Sequence, residues 1–205
     1  MKADPDIHNR LQEQPYMRYV LSTLACVMAL CTGSVAQAAL VTFNNPSVID
    51  IDPNTNVASY NEAGFTFSGE AASFLPLDGI GSGGSGGMFV LANRLLKLTA
   101  SSGGLFSLQS LDFGLSDLQS ATTAPSLLIE GLLADSSLLS QTLPLGTLAN
   151  FRFANWTGLQ EVRFSANTDF VLDNVNAVPE PASLALVALG IAGMAATRRK
   201  RAAVR

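Results

Sequence analysis

The chain has 205 residues, 48% of them hydrophobic, and a formal net charge of −4. Residues 39–178 alone carry twelve acidic and four basic side chains, a net charge of −8, which argues against nucleic-acid binding because that depends on Lys and Arg neutralising phosphates. The two cysteines, Cys26 and Cys31, and the one histidine, His8, all precede residue 39. The stretch 39–178 is long enough for one domain with its own core, and it can form neither a Cys/His zinc site nor a Ser-His-Asp triad.

The first apolar segment has the form of a secretory signal peptide. Arg18 precedes a 13-residue apolar stretch, 19–31, and the small residues Ala36 and Ala38 follow, with Ala39 next. Signal peptidase recognises this small-x-small pattern. We therefore predict that residues 17–38 form a signal helix that enters the Sec translocon and is cleaved after Ala38.

The residues ahead of this segment do not fit a signal peptide. Residues 1–16 are polar and include three acids, whereas a chain that begins at Met17 has a compact, positively charged start. We predict that translation begins at Met17 and that residues 1–16 are a non-native upstream extension.

Residues 39–177 consist of short β-forming runs separated by Gly, Ser, Asn, Asp and Pro. No window shows a helical period over twelve residues, and at 160–166 Val162, Phe164 and Ala166 alternate onto one face. Short strands with frequent turn signals predict an all-β fold, a single jelly-roll-like β-sandwich. The predicted strands are 41–43, 48–51, 64–68, 88–92, 95–100, 106–115, 126–132, 138–143, 160–166 and 170–177.

The last 28 residues combine three features. Pro179, Glu180 and Pro181 form a rigid tripeptide that cannot continue a strand, so the folded domain is predicted to end near Val178. An uncharged run at 182–197 would be a helix of roughly 24 Å, short for the roughly 30 Å bilayer core, and predicts transient insertion in the inner membrane. Basic residues follow that the positive-inside rule keeps in the cytoplasm, namely Arg198, Arg199, Lys200 and Arg201.

The order of these parts resembles the PEP-CTERM protein-sorting signal of Gram-negative bacteria that make extracellular polysaccharide. The resemblance rests on V-P-E-P-A-S at 178–183, a Leu/Ala/Val/Gly segment at 184–196 and R-R-K-R at 198–201. It implies that residues 178–205 are a sorting signal, that a membrane-embedded exosortase removes this tail near the Pro-Glu-Pro, and that the product reaches the cell surface or the outside. The alternative is an ordinary short C-terminal anchor with an accidental Pro-Glu-Pro.

A second resemblance concerns the domain itself. The stretch FVLDNVNAVPEP at 170–181, with GFTF at 64–67 and LDFGLS at 111–116, resembles β-sandwich modules often carried by PEP-CTERM proteins, which look similar to galactose-binding-like and carbohydrate-binding modules. In similar jelly rolls a structural Ca²⁺ joins the first and last strands through an Asp that Asp173 matches. The early partner often reads Phe-Asp-Asp, whereas Asn44 stands here between Phe43 and Asn45, so the implied Ca²⁺ site has less charge. The alternative is that Asp173 makes an ordinary turn or strand-end hydrogen bond.

Two other segments superficially resemble ligand loops. Residues 50–56 (DIDPNTN) lack the glycine and the closing Glu of an EF-hand, so a polar surface loop is predicted. Residues 79–87 (GIGSGGSGG) contain a GxGxxG but no βαβ context, and a flexible loop is predicted.

Trp156 and Tyr60 are the only Trp and Tyr of residues 39–178 and are therefore the candidates for a glycan-stacking platform. For Trp156 the favoured alternative is a ring that caps the core beneath a loop, because Trp is usually largely buried.

No pair of carboxylates in the domain is in a context that marks an acid and a base, so we predict that the protein is not an enzyme. The leading hypothesis is an exported structural or adhesive protein of the cell surface or matrix, associated with exopolysaccharide or biofilm. Its partners are the Sec translocon and exosortase during export and extracellular polysaccharide afterwards. The alternatives are a carbohydrate-binding module, with or without Ca²⁺, and a glycan hydrolase, which needs two carboxylates facing each other across a cleft.

Overall fold

The computed structural model describes residues 38–45, 49–116 and 124–180. Within these ranges the chain forms thirteen β-strands and no α-helix, and no helix there is long and apolar enough to cross a membrane. The predicted signal helix and the predicted transmembrane helix at 182–197 lie outside the described residues. The strands are β1 (Ala39–Val41), β2 (Ile49–Asp52), β3 (Val57–Glu62), β4 (Phe65–Glu70), β5 (Phe74–Leu77), β6 (Gly87–Val90), β7 (Leu96–Ala100), β8 (Phe106–Leu115), β9 (Ser126–Leu133), β10 (Leu138–Pro144), β11 (Ala149–Arg152), β12 (Leu159–Ala166) and β13 (Phe170–Pro179).

The strands are arranged in two antiparallel layers. The first sheet has the order β2-β3-β4-β7-β12-β9-β10. The second sheet has the order β11-β8-β13. On the other side of β13, β6 pairs with its first half and β1 with its second half, and β5 pairs with β6. A single residue pair, Leu159 with Phe106, joins the two layers. The chain passes repeatedly from one sheet to the other, which confirms the predicted jelly-roll-like β-sandwich.

Aromatic side chains from both sheets meet in the core. Phe65 of β4 packs edge-on against Phe106 of β8, with ring centroids 5.4 Å apart. Phe43, just after β1, contacts Tyr60 of β3 and Phe67 of β4 at 5.8 and 5.1 Å. All five rings are fully or almost fully buried, and burial of such side chains contributes most of the stability of a domain without disulfides.

Four strands depart from the prediction. β3, β5 and β11 form where no strand is predicted. The predicted alternation in β12 is confirmed, because Val162, Phe164 and Ala166 are buried. β13 continues past the predicted end near Val178 as far as Pro179, which lies opposite Phe106. Pro179 is tolerated there because it occupies the end of the strand, where a missing N–H breaks no interior ladder bond.

The carboxylate of Glu62, at the end of β3, ties the first sheet to the segment that follows β1. It accepts hydrogen bonds from the Thr42 amide at 3.2 Å, the Thr42 hydroxyl at 3.2 Å, the Phe43 amide at 3.0 Å and the Tyr60 hydroxyl at 2.7 Å. Burial of the phenol, together with its hydrogen bond to the Glu62 carboxylate, raises the pKa of Tyr60 above its ordinary value of 10.0.

This raised pKa predicts a loss of stability in alkali. Because the folded state holds the Tyr60 proton more tightly than the unfolded state, the contribution is fully present below the ordinary pKa of 10.0 and is lost as pH rises above it. Urea unfolding followed by the fluorescence of Trp156, the chain's one Trp, measures this. We expect Tyr60→Phe to lower stability at pH 7 by about 1–2 kcal/mol and to flatten the decline above pH 10. An unchanged alkaline decline in the variant would contradict the assignment.

Candidate functional site

The glycine-rich loop between β5 and β6 closes over the carboxylate of Asp173, which is completely buried in β13. The Ser82 amide and the Ser85 hydroxyl each donate a hydrogen bond of 2.8 Å to Asp173 Oδ2. The amides of Gly79 and Gly81 both donate to the Ser85 carbonyl oxygen at 3.0 Å. The loop is thus folded around an anionic anchor supplied by the last strand, a contact that the prediction of a flexible loop did not include.

Two glycines make this close approach possible. A Cβ on Gly81 would lie 2.6 Å from Asp173 Oδ2 and would also overlap the Gly86 carbonyl oxygen. A Cβ on Gly86 would overlap the carbonyl oxygen of Phe43, and the Gly86 amide donates to Asn44 Oδ1 at 2.8 Å. The loop is thus held between Asp173 of β13 and Asn44 after β1, the two residues that the sequence analysis paired.

A second buried carboxylate, that of Asp112, lies directly opposite Asp173 on β8. The side-chain amide of Asn174 lies between them and donates to Asp112 Oδ2 at 2.8 Å and to Asp173 Oδ2 at 3.2 Å. Asn150 of β11 donates to Asp112 Oδ1 at 2.6 Å. Asn174 has a φ of +47° at a β-bulge, where three residue steps of β13 span two of β8.

Neither Asp112 nor Asn150 is predicted from the sequence as a site residue. The available signal was Asp112 itself, a single charged residue within an otherwise uncharged strand, FSLQSLDFGL. A charge at such a position requires buried partners, because an unpaired buried charge is strongly destabilising. Asn150 carries no such signal, since amide side chains are common on exposed strands.

The residues around Asp173 do not fit a calcium ion. Asp173 Oδ2 accepts hydrogen bonds from Ser82, Ser85 and the side-chain amide of Asn174. Asp173 Oδ1 accepts one from the backbone amide of Asn174 at 2.6 Å. These four bonds use the roughly four lone-pair positions of a carboxylate. A Ca²⁺ ion is bound by roughly six to eight oxygen ligands. Asn44 Oδ1 is already bonded to Gly86, and no group of three or more His, Cys, Asp or Glu in the described ranges could hold a metal. The hydrogen-bonding alternative describes Asp173.

The other oxygen-rich segment forms the exposed turn between β2 and β3. Asp52 accepts hydrogen bonds from the Asn54 amide at 2.8 Å and the Thr55 hydroxyl at 2.9 Å, and these bonds lower the pKa of Asp52. The residues of this turn bond to one another at the surface, as the prediction of a polar surface loop requires.

Neither candidate aromatic ring can serve as a glycan platform in this structure. Tyr60 is 1% exposed, with its ring in the core and its hydroxyl on Glu62. Trp156 is 8% exposed, packs against Phe153 at a centroid distance of 4.7 Å and covers Gly131, where a Cβ would lie 3.0 Å from the indole. Stacking on a sugar needs an open ring face, so the alternative predicted for Trp156, a ring that caps the core, describes it.

A groove of about 570 Å³ opens on the first sheet at the ends of β3, β4 and β7. Its lining includes two large exposed apolar side chains, Val57 and Leu95, which are 42% and 40% exposed. Lys97 and the ion pair of Arg94 with Glu70 supply hydrogen-bonding groups beside them. The volume lies within the range of small-ligand clefts, roughly 300–1,000 Å³, although most of the lining residues are polar or charged.

The predicted processing sites flank the sandwich. Ala38 and Ala39 are described, and Ala39 is the first residue of β1, paired with Ala177 of β13. Pro179 ends β13 and Glu180 follows it, whereas Ala36, Pro181 and the basic residues 198–201 lie outside the described residues.

Residues 177–201 match the model of the PEP-CTERM protein-sorting motif. The chain carries a PEP-CTERM sorting motif. This motif indicates export and exosortase-mediated processing toward the cell surface or the extracellular space, and it confirms the resemblance noted for the tail. The match begins inside β13, so the PEP-CTERM motif and the sandwich share residues 177–180.

The chain is also similar to solved β-sandwich structures. TmCBM61, in complex with β-1,4-galactotriose, is 8% identical with a TM-score of 0.37, and the match covers 57% of this chain and 88% of that one. The Clostridium thermocellum xylanase 10B CBM22-1-GH10 modules are 11% identical with a TM-score of 0.38, and the match covers 70% of this chain and 28% of that one. The family 11 carbohydrate-binding module of the same organism is 14% identical with a TM-score of 0.32, and the match covers 71% of this chain and 97% of that one. No curated protein matches the chain. These TM-scores and identities decide neither ligand nor activity.

The Asp173 site predicts a large difference between two glycines of one loop. Gly81→Ala places a methyl group against the Asp173 carboxylate and the loop backbone, and we expect it to destabilise the domain by about 3 kcal/mol. Gly84→Ala meets no atom within 4 Å and pays only for its φ of +84°, about 1 kcal/mol. Urea unfolding followed by Trp156 fluorescence compares the variants. Equal losses would show that the loop is not closed on Asp173.

Proposed function

We propose that the protein is an exported, non-catalytic component of the cell surface or extracellular matrix, with a structural or adhesive role associated with exopolysaccharide or biofilm. The observation that carries this proposal is the PEP-CTERM motif at 177–201, whose first residues belong to β13, the last strand of the sandwich. Because the sorting signal is continuous with the sandwich, the sandwich is the part of the chain that is delivered to the surface or the medium when the signal is removed.

The steps of export follow the order of the chain. The Sec translocon takes up the signal peptide, 17–38, and cleavage after Ala38 leaves Ala39 as the first residue. The apolar run at 182–197, with the basic cluster 198–201 behind it, holds the precursor in the inner membrane for a time. Exosortase then removes the tail and the sandwich is delivered to the surface or the medium.

The contacts of the carboxylates support a non-catalytic role. Asp112 and Asp173 lie opposite each other in one sheet rather than across a cleft, and both accept hydrogen bonds from Asn174. Glu62 accepts four hydrogen bonds, and Glu161 pairs with Arg163 and Lys97. A general acid or base must have its carboxyl free to reach a substrate.

Replacement of the motif tests the sorting proposal. We expect Pro179-Glu180-Pro181→Ala-Ala-Ala to leave the precursor in the inner membrane, because the exosortase loses its recognition sequence. Fractionation and immunoblotting of the host measure tail removal and release. Alanines at the exposed turn 135–137 are the matched control and should be released normally. Normal release of the motif variant would refute the sorting role.

A second candidate, carbohydrate binding, is favoured by the groove on the first sheet. Sugars present both apolar ring faces and hydroxyl groups, and the groove offers aliphatic side chains from Val57 and Leu95 beside Lys97 and the Arg94–Glu70 pair. Binding there needs neither Trp156 nor Ca²⁺. This candidate gives the adhesive role a specific surface.

A pull-down with the host's own extracellular polysaccharide tests this candidate. We expect the wild-type protein to be retained saturably, equally with Ca²⁺ and with chelator, because Asp173 has no free lone pair for a metal. Val57→Ser/Leu95→Ser should reduce retention about tenfold, since it removes the apolar lining. Leu138→Ser is the control, because Leu138 is also largely exposed, at 54%, and does not line the groove. Equal retention of both variants would exclude the groove, and no retention of any form would leave a partner of another class.

A further inference from the structure

The first two residues of the Pro-Glu-Pro motif are bonded to the folded sandwich. Pro179 is the last residue of β13 and lies opposite Phe106. The Glu180 amide donates a hydrogen bond of 2.8 Å to the carbonyl oxygen of Leu105, just before β8. The Gly158 amide, just before β12, donates a bond of 2.7 Å to Glu180 Oε1.

These contacts hold Glu180 by its backbone and by its side chain. Gly158 has a φ of +70°, and the nearest atom to a Cβ built on it is Leu133 Cδ2 at 3.7 Å, so the backbone conformation rather than space favours glycine there. In this conformation its N–H bonds the Glu180 carboxylate, and a hydrogen bond to an ionised acceptor is stronger than a neutral one.

An enzyme that reads an extended peptide uses the peptide's backbone groups and its side chains. For Glu180, both the amide and the carboxylate are already bonded to the sandwich. An exosortase that recognises this residue must therefore first break its bonds to Leu105 and Gly158.

We propose that the folded sandwich masks Pro179 and Glu180, the first two residues of the Pro-Glu-Pro motif, so that they become available to the exosortase only while the end of β13 is unpaired. This inference rests on the proposed function, in which an exosortase processes the chain. The mask is local, because it involves strand-end contacts, whereas Asp173 further along β13 is completely buried. Strand ends open far more often than whole domains unfold, so the end of β13 can be released without loss of the sandwich.

A release variant of the full-length chain tests the mask in the host. Gly-Ser-Gly-Ser inserted between Val178 and Pro179 separates the motif from β13, and the same insertion between Ser102 and Gly103, in the exposed turn before β8, is the control. We expect pulse-chase measurements to show tail removal about tenfold faster in the release variant, because two hydrogen bonds no longer oppose opening, and an unchanged rate in the control.

A clamp variant tests the opposite direction. Ser107 lies opposite Val178 in the β8–β13 register, and residues 39–178 contain no cysteine. In Ser107→Cys/Val178→Cys a disulfide, formed in an oxidising compartment, holds the end of β13 to β8. We expect tail removal to slow about tenfold and to recover with a reducing agent, whereas each single variant is processed at the wild-type rate.

Amide hydrogen exchange gives a readout that needs no exosortase. In the full chain in detergent micelles, the Glu180 amide should exchange at least tenfold more slowly than in the release variant, with Trp156 fluorescence showing that both are folded. Equal exchange overturns the mask. Equal processing rates of the wild-type, release and clamp forms, with the triple-alanine variant blocked, also overturn it and leave the sorting function intact. If the triple-alanine variant loses its tail at the wild-type rate, the sorting function is refuted instead.

Discussion

A buried carboxylate, that of Asp173, is the feature on which the second sheet depends. A charge removed from water is strongly destabilising unless hydrogen-bond donors surround it, and here they come from Ser82, Ser85 and Asn174. Each donor imposes a further requirement. The loop can approach only because Gly81 lacks a Cβ, and Asn174 can bridge to Asp112 only from a left-handed backbone at a bulge. The loop, the bulge and the pairing of β8 with β13 therefore form one cooperative arrangement.

The sequence predicts the fold class well because alternation survives in the long strands, as in β12. It misses β3, β5 and β11, and for the first two the reasons are identifiable. In β3 the inward positions are Ala58, Tyr60 and Glu62, and an inward carboxylate conceals the apolar face. In β5 Pro76 is typical of a turn, but β5 is an edge strand where proline is tolerated.

The candidate site shows a different limit of prediction. The sequence draws attention to Asp173 as a metal ligand, with a hydrogen bond as the alternative. Its partners in the loop lie 88 and 91 positions away in the chain, so the sequence offers no sign that they meet. Glycine-rich composition reports the freedom of an isolated loop and carries no information about a distant anchor. Trp156 illustrates the same point, because its predicted burial rests on the general tendency of Trp to be buried, whereas its contacts with Phe153 and Gly131 are found only in the structure.

The pairing of Ala39 with Ala177 has a mechanical consequence. Because β1 and β13 are antiparallel neighbours, the start of the domain and the end of β13 lie side by side at one end of the sandwich. A pulling force applied between the two ends of the domain would separate β1 from β13 by breaking their hydrogen bonds one at a time, which requires little force. A force that enters through the C-terminal end and leaves through the distant face of the first sheet would instead be distributed over the whole core. A surface protein of this design resists tension only if its second point of attachment lies on the sandwich and not at its N-terminus.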